Sequence, residues 1–213
     1  MKKTITIQNG LTVICGPTAS GKTTLAQHII KETPYHKKCL LSIDAEAKKF
    51  LHEVGLPEEL LHRGLDQATH FMFQDWLTKK LVSAFDEDSF VVYEGVCERD
   101  SGLLQGLRLF PLTGFCRPIT LIKIFPDLTL HTEFAKKRLH SELPVSPQEM
   151  LLQRNAFHFL AEDPLFVSCE WIREYLITDP TQVRLDFMKS GQCSKESLAA
   201  FMVYENSKFA TSS

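Results

Sequence analysis

The chain has 213 residues, of which 44% are hydrophobic and 23% are charged, as in an ordinary globular protein. Its formal net charge of −2 gives no strong nucleic-acid signal and does not favour binding to anionic membranes. The longest apolar runs, FVVY and ITLI, are too short to span a bilayer, and no apolar segment follows the N-terminal lysines, so we expect no secretory signal and no membrane partner. Six scattered cysteines without a C-x-x-C pair favour reduced thiols in a soluble, cytoplasmic protein.

The first elements along the chain are two strands, a helix and a third strand. Residues 3–8 alternate like a strand, and Asn9-Gly10 is a hairpin signal before the strand LTVIC, which predicts an N-terminal antiparallel strand. A helix is predicted from about residue 22 to residue 32. The apolar run CLLSI then predicts a buried strand that ends at Asp44.

The middle of the chain continues the alternation. Apolar residues recur at helical spacing over residues 47–54, and Asp66 is placed to cap a long helix that ends near Phe85. The runs FVVYEG and ITLIKIF are apolar enough for buried strands. Between them, residues 100–118 are rich in Gly and Pro and are predicted to form a loop.

The C-terminal part is predicted to hold two helices, near residues 127–140 and 147–161, followed by a last strand, EYLIT. Apolar strands that alternate with helices are typical of a three-layer α/β/α fold with a mainly parallel sheet. We expect one domain over residues 1–213, with a lid region at about 127–161 and a flexible tail from about residue 190. No oligomeric state is indicated.

The stretch GPTASGKTT has the pattern of a phosphate-binding P-loop and lies between a predicted strand and a predicted helix. Backbone N–H groups of such a loop bind phosphate oxygens at the positive end of the helix dipole. We expect Lys22 to reach the β- and γ-phosphates and the Thr23 hydroxyl to bind Mg²⁺, with ATP or GTP as the nucleotide. The predicted nucleotide-binding residues are Gly16, Pro17, Thr18, Ala19, Ser20, Gly21, Lys22, Thr23 and Thr24.

Other P-loop classes lack support in the sequence. A GTPase needs a guanine-reading Asn-Lys-x-Asp or Thr-Lys-x-Asp segment, and neither occurs. The signature segment of ABC-type ATPases, Ser-Gly-Gly, is also absent. A hydrolytic ATPase usually carries two acids after an apolar strand, whereas VVYEG offers one acid and then a glycine.

The order of motifs resembles the nucleotide-kinase-like P-loop kinases of small molecules, and most closely the zeta-toxin and chloramphenicol-phosphotransferase group. The P-loop is followed by LLSID and then by FVVYEGVCER. The resemblance implies that Asp44 accepts the proton of a small-molecule hydroxyl, and that Glu94 contacts the acceptor and Mg²⁺. It also implies Arg99 as a substrate clamp. Arg138 and Arg154 are the candidate catalytic lid arginines.

Several alternatives stay open. Asp44 is also suited to cap the helix predicted after it, and Glu94 to occupy a turn. The protein as a whole is alternatively a nucleotide-binding ATPase or regulator without acceptor chemistry. A third alternative is a tRNA dimethylallyltransferase-like enzyme, because GPTASGKT also resembles the P-loop of that family, although those enzymes are normally longer and carry an inserted tRNA-binding domain.

Overall fold

A computed structural model describes residues 2–63, 65–87, 89–96, 118–138 and 172–188, together with the isolated positions 146, 148, 152, 154 and 155. Arg99, the side chain of Arg138, residues 100–117 of the predicted loop and the tail lie outside the described residues. Of the helix predicted near 147–161, only single positions are described. Among the described helices, none combines the length and the apolar character needed to cross a membrane.

Within the described residues, seven strands form two sheets. Their bounds are β1 Lys3–Ile7, β2 Leu11–Cys15, β3 Lys38–Ser42, β4 Phe90–Gly95, β5 Ile119–Ile124, β6 Ile172–Ile177 and β7 Val183–Phe187. The main sheet has the order β3-β4-β2-β5-β6, and all of its neighbouring strands are parallel. Every residue of β2, β4 and β5 is buried, as expected for central strands that are covered on both faces. The predicted α/β fold with a mainly parallel sheet is confirmed.

The described helices lie between these strands. They are α1 Lys22–Glu32, α2 Ile43–Glu53, the short α3 Leu60–Arg63, α4 Gln67–Asp86 and α5 Leu128–Arg138, and a 3₁₀ turn spans Pro180–Gln182. The prediction that Asp66 caps α4 is confirmed, because its carboxylate accepts a hydrogen bond from the Thr69 backbone N–H at 2.9 Å. Helix α2 ends at Glu53, and Gly55, which follows the C-cap residue Val54, has a φ of +72° that favours glycine.

The predicted N-terminal hairpin is wrong. Strand β1 pairs in parallel with β7, from Lys3 beside Val183 to Ile7 beside Phe187. The chain leaves β1 and enters the main sheet at Gly10, whose carbonyl accepts the N–H of Val91 at 3.0 Å. The chain therefore does not turn back to run antiparallel to β1. It crosses from the two-stranded sheet of β1 and β7 into the main sheet.

Helix α1 shares one hydrophobic core with both sheets. Leu25, Ala26 and Ile29 of α1 are buried with Ile5 and Ile7 of β1 and with apolar residues of the main sheet. A second cluster, centred on Phe50 and Phe73, holds α2 against α4. Both helices that start near the carboxyl edge of the central strands, α1 and α2, are thus anchored by buried apolar faces.

Candidate active site

The P-loop joins β2, the central strand of the main sheet, to α1. A Cβ atom at Gly16 would lie 2.3 Å from the Ile124 carbonyl oxygen, so only glycine allows β5 and the loop to approach this closely. Gly21 precedes α1 with a φ of +91°, and Ala19 adopts a left-handed φ of +60° although it is not a glycine. The strand–loop–helix context that the motif requires is present.

Lys22 folds back over this loop. Its side chain is largely buried, at 8% exposure, and its Nζ donates a hydrogen bond to the Pro17 carbonyl oxygen at 2.8 Å. The cation thus lies over the backbone of the predicted phosphate-binding loop. Ser20 is fully buried, and its Oγ has no hydrogen-bond partner among the described residues. A buried hydroxyl without a partner at this loop is consistent with a missing polar ligand.

Glu94 lies at the end of β4 and contacts the P-loop helix. Its Oε1 accepts a hydrogen bond from the Thr23 hydroxyl at 3.1 Å and a second from the Ser42 hydroxyl at 2.5 Å. The carboxylate is 4% exposed, and Ser42 is the direct neighbour of Glu94 in the β3–β4 register. Glu94 is therefore held by two hydroxyl donors from two different elements.

This arrangement fits a magnesium ion. The Thr23 hydroxyl gives its hydrogen to Glu94, which leaves the oxygen lone pairs for a cation. Hydroxyl and carboxylate oxygens are the ligands that Mg²⁺ prefers, and in phosphoryl-transfer sites it takes one or two protein groups plus phosphates and water. The described residues contain no group of three His, Cys, Asp or Glu side chains arranged for a metal, so an all-protein cage is not formed from them.

The sequence analysis missed Ser42. The only signal was a polar residue near the end of an otherwise apolar strand, and its meaning depends on the strand register, which the sequence alone did not define.

Asp44 lies elsewhere than predicted. Strand β3 ends at Ser42, so Asp44 is not a strand-end residue but belongs to the first turn of α2, where it is exposed. Ser42 is the N-cap residue of α2, which also overturns the alternative that Asp44 caps this helix. Asp44 follows Ser42 by two residues at the carboxyl edge of the sheet, and an acid in the first turn is favoured by the helix dipole.

Arg154 is the one predicted arginine whose side chain the structure describes. Its NH1 donates hydrogen bonds to the Pro126 carbonyl oxygen at 2.6 Å and to His131 Nδ1 at 3.0 Å. Its guanidinium also lies 4.1 Å from the centre of the Phe125 ring, within the range of a cation–π contact. These contacts place Arg154 beside the end of β5 and the start of α5.

His131 links Arg154 to the P-loop, a role that the sequence did not indicate. Its Nε2 lies 2.7 Å from the Thr18 carbonyl oxygen, and the residue is completely buried. Burial lowers the pKa of His131, and the positive charges of Arg154 and Lys22 lower it further, although the contact with Thr18 acts in the opposite direction. The imidazole is therefore held in its neutral form at neutral pH.

A cavity of about 870 Å³ opens beside the P-loop. One wall is formed by the start of α1, including Thr24 and His28, and the facing side carries Phe134 and Lys137 of α5. Pro180 and Thr181 complete it, and Thr181 is fixed by hydrogen bonds from its N–H and hydroxyl to Asp179 Oδ1, at 2.9 and 2.6 Å. The volume is within the range of cavities that hold small ligands, so a nucleoside next to loop-bound phosphates would fit.

Comparisons with known proteins give a match at the level of the fold. No protein-family model matches the chain, and no curated protein does so. A sugar kinase from Janibacter sp. HTCC2649 has a TM-score of 0.53 and 15% identity, over 82% of this chain and 89% of that one. A gluconokinase from Sinorhizobium meliloti 1021 has a TM-score of 0.51 and 12% identity, over 96% and 98%.

A third similar structure, from Chloroflexus aurantiacus and assigned to the kinases, has a TM-score of 0.56 and 18% identity, over 97% of this chain and 100% of that one. At these identities the likeness concerns the fold alone. Together with the parallel sheet and the P-loop, it shows that the chain has the α/β fold of P-loop kinases.

Proposed function

We propose that this protein is a P-loop kinase that transfers the γ-phosphoryl group of a nucleoside triphosphate to a hydroxyl group of a small molecule. The observation that carries the proposal is the hydrogen bond between the Thr23 hydroxyl and Glu94, at the carboxyl edge of the central strands. It joins the phosphate-binding loop to an acid on the neighbouring strand, and Asp44 lies at the start of the next helix along this edge.

The nucleotide would bind with its phosphates on the P-loop and its base in the adjacent cavity. Phe134 and Pro180 offer apolar surface for a purine ring, while Lys137 is available for charged or polar groups. We propose ATP, with GTP as the alternative nucleotide. Mg²⁺ would be held by Thr23 and, directly or through water, by Glu94; when bound, it neutralises charge on the β- and γ-phosphates.

The chain's own residues would then supply positioning and charge. Lys22 and the loop N–H groups would stabilise negative charge on the transferring group. Asp44 would orient the acceptor hydroxyl and take its proton, which its exposed position in the first turn of α2 permits. Arg99 remains the proposed substrate clamp and Arg138 the proposed lid arginine. The contacts of Arg154 favour a supporting role near the loop over direct contact with phosphate.

The acceptor is proposed only as a class, a small molecule with a free hydroxyl group. Two of the similar structures are a sugar kinase and a gluconokinase, so sugars and sugar acids are the natural first set to test. The resemblance to the zeta-toxin and chloramphenicol-phosphotransferase group rests on the sequence motifs, and it adds nucleotide sugars, nucleosides and hydroxylated antibiotics to the set.

The deciding experiment is an acceptor screen. Purified protein is incubated with γ-labelled ATP, Mg²⁺ and pools of these compounds, and transfer of label to an acceptor is expected. Asp44→Asn should lose the transfer while still binding ATP. If no pool is labelled and free phosphate is released at the same rate with and without acceptors, the kinase proposal is wrong.

The second candidate function is nucleotide hydrolysis without acceptor chemistry. It is favoured by the same Thr23–Glu94 contact, since a buried acid beside the P-loop threonine also suits an ATPase. In that case Asp44→Asn would leave the release of phosphate unchanged. The dimethylallyltransferase alternative stays a prediction from the sequence, and we find no contact among the described residues that favours it.

A further inference from the structure

The buried side chain of His131 connects the P-loop to Arg154, which follows the loop by more than a hundred residues in the sequence. His131, in the first turn of α5, has no solvent exposure. Its Nε2 contacts the Thr18 carbonyl oxygen at 2.7 Å, and its Nδ1 contacts Arg154 NH1 at 3.0 Å. Both ring nitrogens are therefore engaged, one by the loop and one by the arginine.

The arginine determines which nitrogen of the histidine carries the proton. A guanidinium group only donates hydrogen bonds, so Nδ1 of His131 must accept from Arg154. In a neutral imidazole the other nitrogen then carries the hydrogen, and Nε2 donates it to the Thr18 carbonyl oxygen. A doubly protonated ring would place an N–H of His131 against an N–H of Arg154 and is disfavoured there.

The bond to Thr18 acts on a peptide group that matters for phosphate binding. The Thr18 carbonyl belongs to the peptide bond that leads into Ala19, and Ala19 has the left-handed φ of +60°. An L-residue enters this region only at an energetic cost, so the surrounding contacts must hold it there. Holding the Thr18 carbonyl toward His131 turns the N–H of Ala19 the opposite way, because the two groups of a peptide are trans.

We propose that His131 is a positioning residue of the P-loop, and that Arg154 acts through it by fixing the tautomer that donates to Thr18. The neighbouring Pro17 carbonyl is held by Lys22 at 2.8 Å, so two consecutive loop carbonyls are anchored by side chains. The consequence is a loop whose N–H groups are oriented before nucleotide binds. The inference rests on the proposed function only in requiring that the loop binds nucleotide.

The electrostatic surroundings support a neutral histidine. In the described part of the chain, the charged groups that act on His131 are Arg154 and Lys22, and both are cations. Burial lowers the pKa of His131 below the ordinary 6.5, and these two cations lower it further. Protonation at low pH would keep the Nε2–H that faces Thr18 but would set a new Nδ1–H against the N–H of Arg154. The repulsion would displace the His131 ring and so disturb its contact with the Thr18 peptide. Nucleotide affinity should therefore fall as the pH decreases below 6.5, through the lowered pKa of His131.

The test measures affinity for Mg²⁺–ADP and Mg²⁺–ATP by calorimetry in two matched pairs of variants. His131→Gln keeps an N–H donor near the position of Nε2, whereas His131→Asn is too short to reach Thr18. We expect His131→Asn to weaken nucleotide binding about tenfold, the equivalent of one lost hydrogen bond, and His131→Gln to retain most of it. Equal affinity of wild type and His131→Asn would overturn the inference.

Arg154 supplies a readout that a purely structural role would not change. Arg154→Met removes one of the two cations near His131, so the pKa of His131 should rise and the acid loss of affinity should begin at a higher pH. Arg154→Lys keeps the charge and should leave the pH profile close to that of wild type. An unchanged profile in Arg154→Met would contradict the proposal even if His131→Asn failed to fold. A wild type that binds no nucleotide would overturn the proposed function and this inference together.

Discussion

Thr23 and Glu94 are separated by 71 positions in the sequence, yet the hydroxyl of the first donates to the carboxylate of the second at 3.1 Å. The contact exists because β2 and β4 are neighbours in the sheet, so the P-loop that follows β2 begins next to the end of β4. Ser42, from β3, donates to the same carboxylate oxygen. One residue of α1 and one of β3 thus converge on an acid of β4, at the place where we propose that a metal-bound triphosphate lies.

Replacing Thr23 by Val should weaken the response to Mg²⁺. Valine keeps the branched shape but removes the hydroxyl that contacts Glu94, so the proposed metal site loses a ligand while the fold is retained. We expect Mg²⁺ to raise the melting temperature in the presence of ATP much less than in wild type. Thr78→Val is the matched control. The described contact of the Thr78 hydroxyl is a hydrogen bond within α4, to the Gln74 carbonyl oxygen. Identical Mg²⁺ titrations of wild type and Thr23→Val would contradict the assignment.

Replacing Lys22 by Met should abolish most nucleotide binding. Methionine fills similar space but removes the cation that lies over the P-loop. A ligand present at a hundred times its Kd adds about 2.7 kcal/mol to the free energy of unfolding, so the loss is easy to detect as a smaller thermal shift with ATP. Lys38→Met is the control, because Lys38 also bonds a backbone carbonyl, that of Ile30, but is exposed. Equal thermal shifts in wild type and Lys22→Met would rule out the P-loop assignment.

Gly21→Ala and Gly55→Ala separate backbone strain from local crowding. Both glycines have positive φ, +91° and +72°, where an L-residue costs about 1–2 kcal/mol. A Cβ at Gly21 would also lie 3.0 Å from Pro180 Cγ at the cavity, whereas at Gly55 it would meet no described residue within 4 Å. Both variants should be less stable to urea, but only Gly21→Ala should also weaken nucleotide binding. Normal ATP affinity in Gly21→Ala would contradict the position of the nucleotide at this cavity.

The local parts of the fold were predictable from the sequence, because hydrophobic periodicity, capping residues and the P-loop motif are short-range signals. Helix α4 with its Asp66 cap and the buried strand β4 are examples. The pairing of β1 with β7 was not predictable, since the two strands are at opposite ends of the described chain and a local hairpin signal competed with them.

The supporting residues of the site were missed for the same reason. Ser42 acquires its role only through the β3–β4 register, and His131 only through the approach of α5 to the P-loop. In the sequence, each is a single polar residue without a motif. The sequence pattern put the boundary between β3 and α2 two residues too late. As a result, Asp44 was predicted at the end of a strand, although it lies in the first turn of a helix.

Asp44→Asn is the sharpest test of catalysis by this chain. Asp44 is exposed in the first turn of α2, and Ser42 rather than Asp44 is the N-cap, so the amide should preserve the helix. Loss of the negative charge near the helix N-terminus should cost at most about 0.3–1 kcal/mol of stability. Phosphoryl transfer should fall by about 10²–10⁴-fold because proton acceptance is lost, while ATP affinity stays within a few-fold of wild type.

The control for this variant is Asp75→Asn, which removes an exposed helical aspartate paired with Lys79 at 2.6 Å, far from the P-loop in sequence. It should leave both ATP binding and phosphoryl transfer unchanged. Near-full transfer by Asp44→Asn would assign the proton acceptor to another group. Glu94 would be the next residue to test, because this acid at the end of β4 contacts Thr23 directly. Glu94→Gln would separate the two roles. Loss of both the Mg²⁺ response and phosphoryl transfer would indicate a metal ligand, whereas loss of phosphoryl transfer alone would indicate the catalytic base.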